Sequence, residues 1–299
     1  MHDSPVKTRD LILTFLFSLI ILVCLFLLNY FDKTTKIVFC DVGQGDAAYI
    51  RIKNQIDVLI DAGPDNKALS CLGKYMPFYD RKIELVIISH PQKDHFGGLV
   101  SILNHYQVDK IIAPAVDSSS RSYRLLKNLI SAKKIVVSSA TAGDKIVINN
   151  TRLVFFWPSE RFLKSNLVFD QPRKIGNIIL GASGLDANFF SQILAYQEGA
   201  VSVLFTGDAP GSVLDGLEEK DKSKTTILKI PHHGSKNGLT KNFLRLADPG
   251  LAVISVGKNN SFGHPSKEVL EILQAQNVKI KRTDIDGDII FKIQSSKFK

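Results

Sequence analysis

The segment His90-Pro91-Gln92-Lys93-Asp94-His95 packs two imidazoles and a carboxylate into six residues. Imidazole and carboxylate together suit a divalent metal of intermediate hardness, and such an ion activates water for hydrolysis. The same residue types return downstream, as Asp208 in Thr206-Gly207-Asp208, His232 and His233 in Pro231-His232-His233-Gly234-Ser235, and His264 in Gly263-His264-Pro265. Five of the seven histidines fall in these segments, leaving His2 and His105. One such cluster is compatible with a solvated turn. Its recurrence after successive apolar runs is the pattern that a metal-hydrolase site leaves.

Residues scattered this widely need buried strands that end at them. Leu85-Val86-Ile87-Ile88 is a β-branched apolar run leading into His90, and Gly97-Gly98-Leu99-Val100-Ser101-Ile102-Leu103 then takes helical spacing. Chemistry at the carboxyl end of a buried strand, on a loop entering a helix, is characteristic of α/β proteins. Val201-Ser202-Val203-Leu204-Phe205 delivers Asp208 in the same way. Thr226-Ile227-Leu228-Lys229-Ile230 delivers the His232-His233 pair, and Leu251-Ala252-Val253-Ile254-Ser255-Val256 delivers the loop to His264. A helix follows over 266–276, with Pro265 suited to its start.

Upstream, Ile37-Val38-Phe39-Cys40 runs into Asp41-Val42-Gly43-Gln44-Gly45-Asp46, whose glycines permit close backbone approach. Strands at 47–52 and 56–60 precede Asp61-Ala62-Gly63. Further strands are expected at 110–113, 135–137, 145–148 and 153–156, with an amphipathic helix over 123–130. From 157 to 187 the pattern fails around Pro158 and Pro172. That stretch reads as an irregular insertion bordering the site. Order returns at 188–196, read as a strand, and the chain closes with strands near 278–282 and 288–293.

The chain has 299 residues, 44% of them hydrophobic, enough for a substantial core. Its formal net charge of +9 favours an acidic partner, although no dense basic block appears. Cys24, Cys40 and Cys71 form no Cys-x-x-Cys motif, which argues against a dithiol redox site or a thiolate metal site. Residues 11–28 are uncharged and almost wholly apolar, and Asn29-Tyr30-Phe31 follows. About 18 to 21 such residues suffice for a helix across a bilayer core. No small-residue cleavage site follows, so an uncleaved anchor is favoured over a signal peptide. Lys7 and Arg9 on one side balance Lys33 and Lys36 on the other, so charge does not set its orientation.

Taken together, these motifs resemble the metallo-β-lactamase fold superfamily, whose signature is His-x-His-x-Asp-His followed by Gly-Gly. More narrowly they resemble the hydrolase domain of the competence DNA-uptake family (ComEC/Rec2-related proteins). The match runs in order through Asp41-Val42-Gly43-Gln44-Gly45-Asp46-Ala47, Asp61-Ala62-Gly63, Ser89-His90-Pro91 and Asp94-His95-Phe96-Gly97-Gly98. It continues through Thr206-Gly207-Asp208, Pro231-His232-His233-Gly234-Ser235, Gly263-His264-Pro265 and Arg282-Thr283-Asp284.

The resemblance implies an α/β fold, a four-layer αββα metallo-β-lactamase sandwich preceded by one N-terminal transmembrane helix. The divisions expected are a tail at 1–10, an anchor at 11–31 and the hydrolase domain at 36–293. Carried over residue by residue, Asp94, His95 and Asp208 become ligands of one metal, completed by one of His232 and His233. Strand alternation favours His232 as ligand, with His233 facing substrate. His90 and Gln92 fall to a second site bridged by Asp208.

Gln92 departs from the signature, which has histidine there; a neutral amide oxygen weakens that half-site for zinc. One well-held divalent ion, zinc or manganese, and one weak one are therefore expected. Asp94, His233 and His264 become catalytic candidates, Gln44, Asn188, Ser191 and Ser235 substrate contacts, and Asp46 and Asp61 supports behind the ligands. The activity implied is a membrane-anchored phosphodiesterase or nuclease on DNA, with its hydrolase domain outside the cytoplasm and a separate channel protein as partner. The competing reading is a degenerate domain that binds DNA or a channel partner without turnover.

Overall fold

The computed structural model describes residues 7–217, 225–294 and 297–298. Its first element is helix α1 (Thr8–Phe31), whose apolar side chains are exposed from Leu11 to Leu27. Residues Thr8–Leu27, with mean hydropathy 2.8, are long and apolar enough to cross a membrane. Such exposure is costly in water and natural in lipid.

Two twisted sheets follow. The strands of the first are β1 (Thr35–Phe39), β2 (Ala48–Ile52), β3 (Ile56–Ile60), β4 (Lys82–Ile87), β5 (Gln107–Ile112) and β6 (Val136–Ser138), joined by two strands from the end of the chain. The second is built from β7 (Lys145–Ile148) and β8 (Thr151–Trp157). A separate hairpin, β9 (Val168–Ile175) and β10 (Ile178–Ala182), interrupts the chain before β11 (Ile193–Glu198) and β12 (Val201–Phe205) continue that sheet. Strands β13 (Ile227–Lys229), β14 (Leu251–Ile254) and β15 (Lys279–Arg282) complete it. Strands β16 (Ile289–Gln294) and β17 (Lys297–Phe298) return to the first sheet, giving the order β17-β16-β1-β2-β3-β4-β5-β6. The second sheet runs β15-β14-β13-β12-β11-β8-β7.

Period-two alternation sorts the side chains into three cores. Ile37, Phe39, Ile50, Val58 and Ile87 point inward and meet Leu153, Phe155, Tyr196, Val203 and Phe205 of the other sheet. Phe39 stacks on Phe205 across this interface at 5.7 Å. The opposite faces are covered by helices. Val38, Tyr49, Leu59 and Val86 pack under α2 (Lys67–Tyr75), the single turn α3 (Lys93–Phe96), α4 (Leu99–His105) and α5 (Arg121–Ala132). After α6 (Glu160–Asn166), the second sheet's outer face packs under α7 (Gly211–Asp215), α8 (Lys241–Ala247) and α9 (Lys267–Ala275). This is the four-layer αββα sandwich that the resemblance implies.

Two local readings need correction. Residues 157–187 are not irregular, because α6 and the β9–β10 hairpin order them. The hairpin turns at Gly176-Asn177, with Gly176 at φ +54, and buries Ile175 and Leu180 against the first sheet's helical layer. A glycine-asparagine pair between two strand-length runs is itself a hairpin signal. Residues 188–191 are likewise not a strand. Ala187–Phe190 forms a 3-10 turn, fixed by the Asn188 amide donating to the Asp186 carboxylate at 2.9 Å.

The cysteine reading had no place for a disulfide, yet Cys40 and Cys71 are bonded, tying the end of β1 to α2. The bridge closes a loop with a sequence separation of 31 residues. Removing it with Cys40→Ser/Cys71→Ser is expected to cost about 2–4 kcal/mol of stability, read by urea unfolding under non-reducing conditions. An unchanged midpoint would show that the bridge adds nothing to the fold.

Candidate metal centre

The loops leaving β1, β3, β4, β12 and β13 converge at one edge of the two sheets. Gly45 is a close-approach point. At φ +145 its added Cβ would lie 2.3 Å from the Asp94 carbonyl oxygen, and next to it the Asp46 amide donates to that oxygen at 3.1 Å. Gly98 makes a second such contact, since a Cβ there would meet the Ala62 and Asp65 carbonyl oxygens at 2.2 and 2.3 Å. These contacts seat α3, and with it Asp94 and His95, between the two upstream loops.

Four side chains present one ligand atom each within 4.8 Å of one another, namely Asp94, His95, Asp208 and His233. His95 Nε2 lies 3.2 Å from Asp208 Oδ1 and 4.0 Å from Asp94 Oδ2. His233 Nε2 lies 3.4 Å from Asp94 Oδ2 and 3.5 Å from Asp208 Oδ2. None of these close approaches is a hydrogen bond for His95 Nε2, His233 Nε2 or either Asp208 oxygen, and all four atoms are buried without a partner. Buried polar atoms are normally satisfied. Donors that crowd around one point instead of bonding one another fit a cation between them.

The protonation preferences point the same way. Burial alone would lower the pKa of His95, but the carboxylates of Asp208 and Asp61 outweigh it and raise it well above the imidazole range. For His233 burial is likewise overcome, by Asp208 and Asp46, and its pKa is pushed up to about 9. Burial would raise Asp208, yet His233 and His95 hold it well below the carboxylate range. The site demands positive charge, which protons or a divalent ion can supply.

Behind these donors stand the orienting groups. His95 Nδ1 lies 2.8 Å from Asp61 Oδ2, while Ser89 donates both its amide and its hydroxyl to Asp61 at 2.7 Å. His233 Nδ1 lies 3.0 Å from the Ser255 carbonyl and 3.4 Å from Asp46. Carboxylate or carbonyl partners of this kind fix the tautomer of a ligating histidine. Ser191 Oγ accepts from the Asp208 amide at 3.2 Å, so it positions Asp208 from behind the cluster. Asp46, Asp61 and His95 form a second group of closely spaced donors.

The other expected residues sit as follows. His90 is buried next to His95, with ring centroids 4.1 Å apart, but lies outside both donor groups. Burial, then the charge of His95, lowers its pKa to about 3, leaving a neutral ring with an unpartnered Nε2. Gln92 occupies the position before α3 and makes no capping bond. His232 and His233 exchange the places expected of them. Their segment is a tight turn with both residues at positive φ, so strand alternation does not apply. His233 turns inward, while His232 is 31% exposed, with Nε2 3.7 Å from Asp208.

Gln44, expected on substrate, accepts from the Gly257 amide at 3.2 Å and braces two loops together. Ser235 accepts from the Asn237 amide at 3.4 Å, and the Asn188 Oδ1 is buried without a partner. His264 sits at the mouth, its ring 5.8 Å from that of His232; burial, then His232, lowers its pKa.

Sequence reasoning missed Lys229. Its side chain is buried on β13, paired with Asp46, donating to the Gly207 carbonyl at 3.0 Å and 3.9 Å from Asp208. The available signal was a lone cation inside the apolar run Ile227-Leu228-Lys229-Ile230.

Comparison with known proteins agrees with this geometry. A metallo-beta-lactamase superfamily model matches residues 40–148. ComE operon protein 3 of Bacillus subtilis is 25% identical over 309 residues, covering 96% of this chain and 36% of that protein. Competence protein ComA of Neisseria gonorrhoeae is 31% identical over 263 residues, covering 87% of this chain and 32% of that protein. The chain thus spans about a third of the length of these relatives. Among solved structures, the metallo-beta-lactamase fold protein YhfI from Bacillus subtilis superposes with a TM-score of 0.55. It is 11% identical, with 87% of this chain and 99% of that one covered, a likeness of fold.

Two expectations follow from the site. His233→Ala should weaken metal binding beyond the roughly 100-fold that loss of an outer partner costs, whereas His232→Ala should stay within about 10-fold. Chelator competition with metal analysis measures both, and the reverse ranking would return His232 to the ligand set. Lys229→Met leaves Asp46 buried without its cation and should destabilise the protein by about 3–5 kcal/mol, read by urea unfolding.

Proposed function

We propose that this chain, which carries the metallo-β-lactamase fold and resembles competence proteins, is a membrane-anchored, metal-dependent phosphodiesterase acting on DNA. One observation carries the reading. His95, Asp208 and His233 aim buried, partnerless atoms at one point, and the part-exposed Asp94 carboxylate completes the group, beside the less buried His232 and His264. A divalent ion held there, zinc or manganese, would acidify water at neutral pH and screen charge on a phosphoryl oxygen.

The remaining work belongs to the chain's own residues. Asp61 and Ser89 hold His95, while Asp46 and the Ser255 carbonyl hold His233, so the donor geometry is set before substrate arrives. Asp94, 32% exposed, borders the open side, where it can orient a water against the phosphate. His232 and His264 line the mouth, placed to hydrogen-bond a phosphate oxygen or pass a proton to a leaving oxygen.

The residue at the departing position, Gln92, supports one well-held ion over two. The net charge of +9 suits a polyanion. The similarity to competence proteins supports DNA as the substrate. The partner proposed to supply the pore is a separate channel protein. The proposed division is an anchor at 11–31 and a hydrolase domain at 36–293. The Cys40–Cys71 bridge favours an oxidising compartment, hence a domain outside the cytoplasm.

The test uses the full chain in detergent, stripped of metal and assayed on single-stranded DNA, duplex DNA and a small phosphodiester. Added manganese or zinc should restore cleavage, and Asp94→Ala and His95→Ala should each reduce it by at least about 100-fold. Metal binding without turnover of any ester would instead favour the non-catalytic reading, with Gln92 marking a lost activity.

A further inference from the structure

The loop 257–264 presents an aromatic ring to solvent at the mouth of the site. Phe262 is 68% exposed. Its ring stacks on that of His264 at 5.7 Å with an interplanar angle of 25°. His264 in turn meets His232 edge-on at 5.8 Å, and His232 Nε2 lies 3.7 Å from Asp208. A ladder of three rings thus leads from the donor cluster outward, ending in an open aromatic face.

This ring is not loosely displayed. Asn260 organises the loop with four hydrogen bonds. Its amide nitrogen donates to the Gly257 and His264 carbonyls at 2.8 and 2.7 Å, and its carbonyl accepts from the Phe262 and His264 amides at 3.2 and 3.0 Å. The base of the loop is pinned where Gln44 accepts from the Gly257 amide. Lys258, exposed on the same loop, adds a positive charge. An aromatic face held rigidly in water, stacked on one side and carried on a loop that also bears a cation, matches the way single strands are bound. There, a base stacks on an aromatic side chain while its phosphates meet positive charge.

We infer that Phe262, backed by His264, is a stacking platform for an unpaired nucleobase next to the scissile phosphate, which makes the substrate a single-stranded polynucleotide. The inference rests on the reading of this site as a phosphodiesterase and names its substrate class. The interior of a duplex cannot use the platform without unstacking, because only the end pairs leave a base face uncovered.

The experiment measures binding apart from cleavage. The metal-free full chain in detergent is titrated against a single-stranded oligonucleotide carrying 2-aminopurine, and against its duplex. Stacking should quench the probe in the single strand. Phe262→Ala should lose the quench and weaken single-strand binding by about 5- to 150-fold. Phe262→Trp should retain both, and Asn260→Ala, which frees the loop but keeps the ring, should fall between. Metal content of each variant reports that the donor cluster is intact. Equal single-strand affinity of Phe262→Ala and wild type, or equal wild-type affinity for duplex and single strand, overturns the platform. Failure of the phosphodiesterase reading is seen separately, as absent metal-dependent cleavage by the wild-type chain.

Discussion

Buried negative charge is the constraint on which the rest of this structure depends. Asp46, Asp61, Asp94 and Asp208 converge between the two sheets, with Asp46, Asp61 and Asp208 nearly inaccessible to water. Carboxylates gathered in a poorly solvated pocket repel one another and lose hydration, so they persist only beside compensating cations. Lys229 supplies a cationic partner to Asp46, and the imidazoles of His95 and His233 supply acceptors that a proton or a metal can occupy. The unfilled valences of the cluster are what make it a site. A fully self-satisfied network of the same residues would only hold the sheets together.

The sandwich is arranged to bear that cost. The inner core of Ile37, Phe39, Ile50, Phe155, Val203 and Phe205 fixes the spacing of the sheets, and each sheet contributes loops to the same edge. Asp61 and His95 come from the first sheet, Asp208 and His233 from the second, so the cluster exists only while the sheets are docked. Gly45 and Gly98 remove side chains where backbones must nearly touch, and the Cys40–Cys71 bridge anchors the strand that leads into the first loop. The strained turn at His232 and His233 belongs to the same economy. Two non-glycine residues at positive φ are held by packing, which turns one imidazole inward and the other toward solvent.

Much of this was legible because it is written locally. Apolar runs of strand length led into the segments that hold His90, Asp208, His232 and His264. Asp94 and His95 share a short segment, and the helix that follows it is announced by the apolar spacing after Gly97-Gly98. What stayed hidden depended on distant partners. His233 rather than His232 enters the donor group because a turn replaces strand geometry, and nothing in a histidine pair announces that turn. Ser191 and Gln44 read as substrate contacts until the Asp208 amide and the Gly257 amide arrive beside them. Cys40 and Cys71 carry no motif, since their pairing comes from helix α2 lying across β1.

The sequence by itself determined most of the strand order outside 157–191, the apolar N-terminal span and the residue types of the centre, because periodicity and donor identity are properties of short segments. Tertiary structure alone decided which histidine joins which carboxylate, that Lys229 neutralises Asp46, and that Phe262 stands over the mouth of the site. Those outcomes turn on distances between loops far apart in the chain. Such distances are set by how two sheets pack, and no local pattern encodes them.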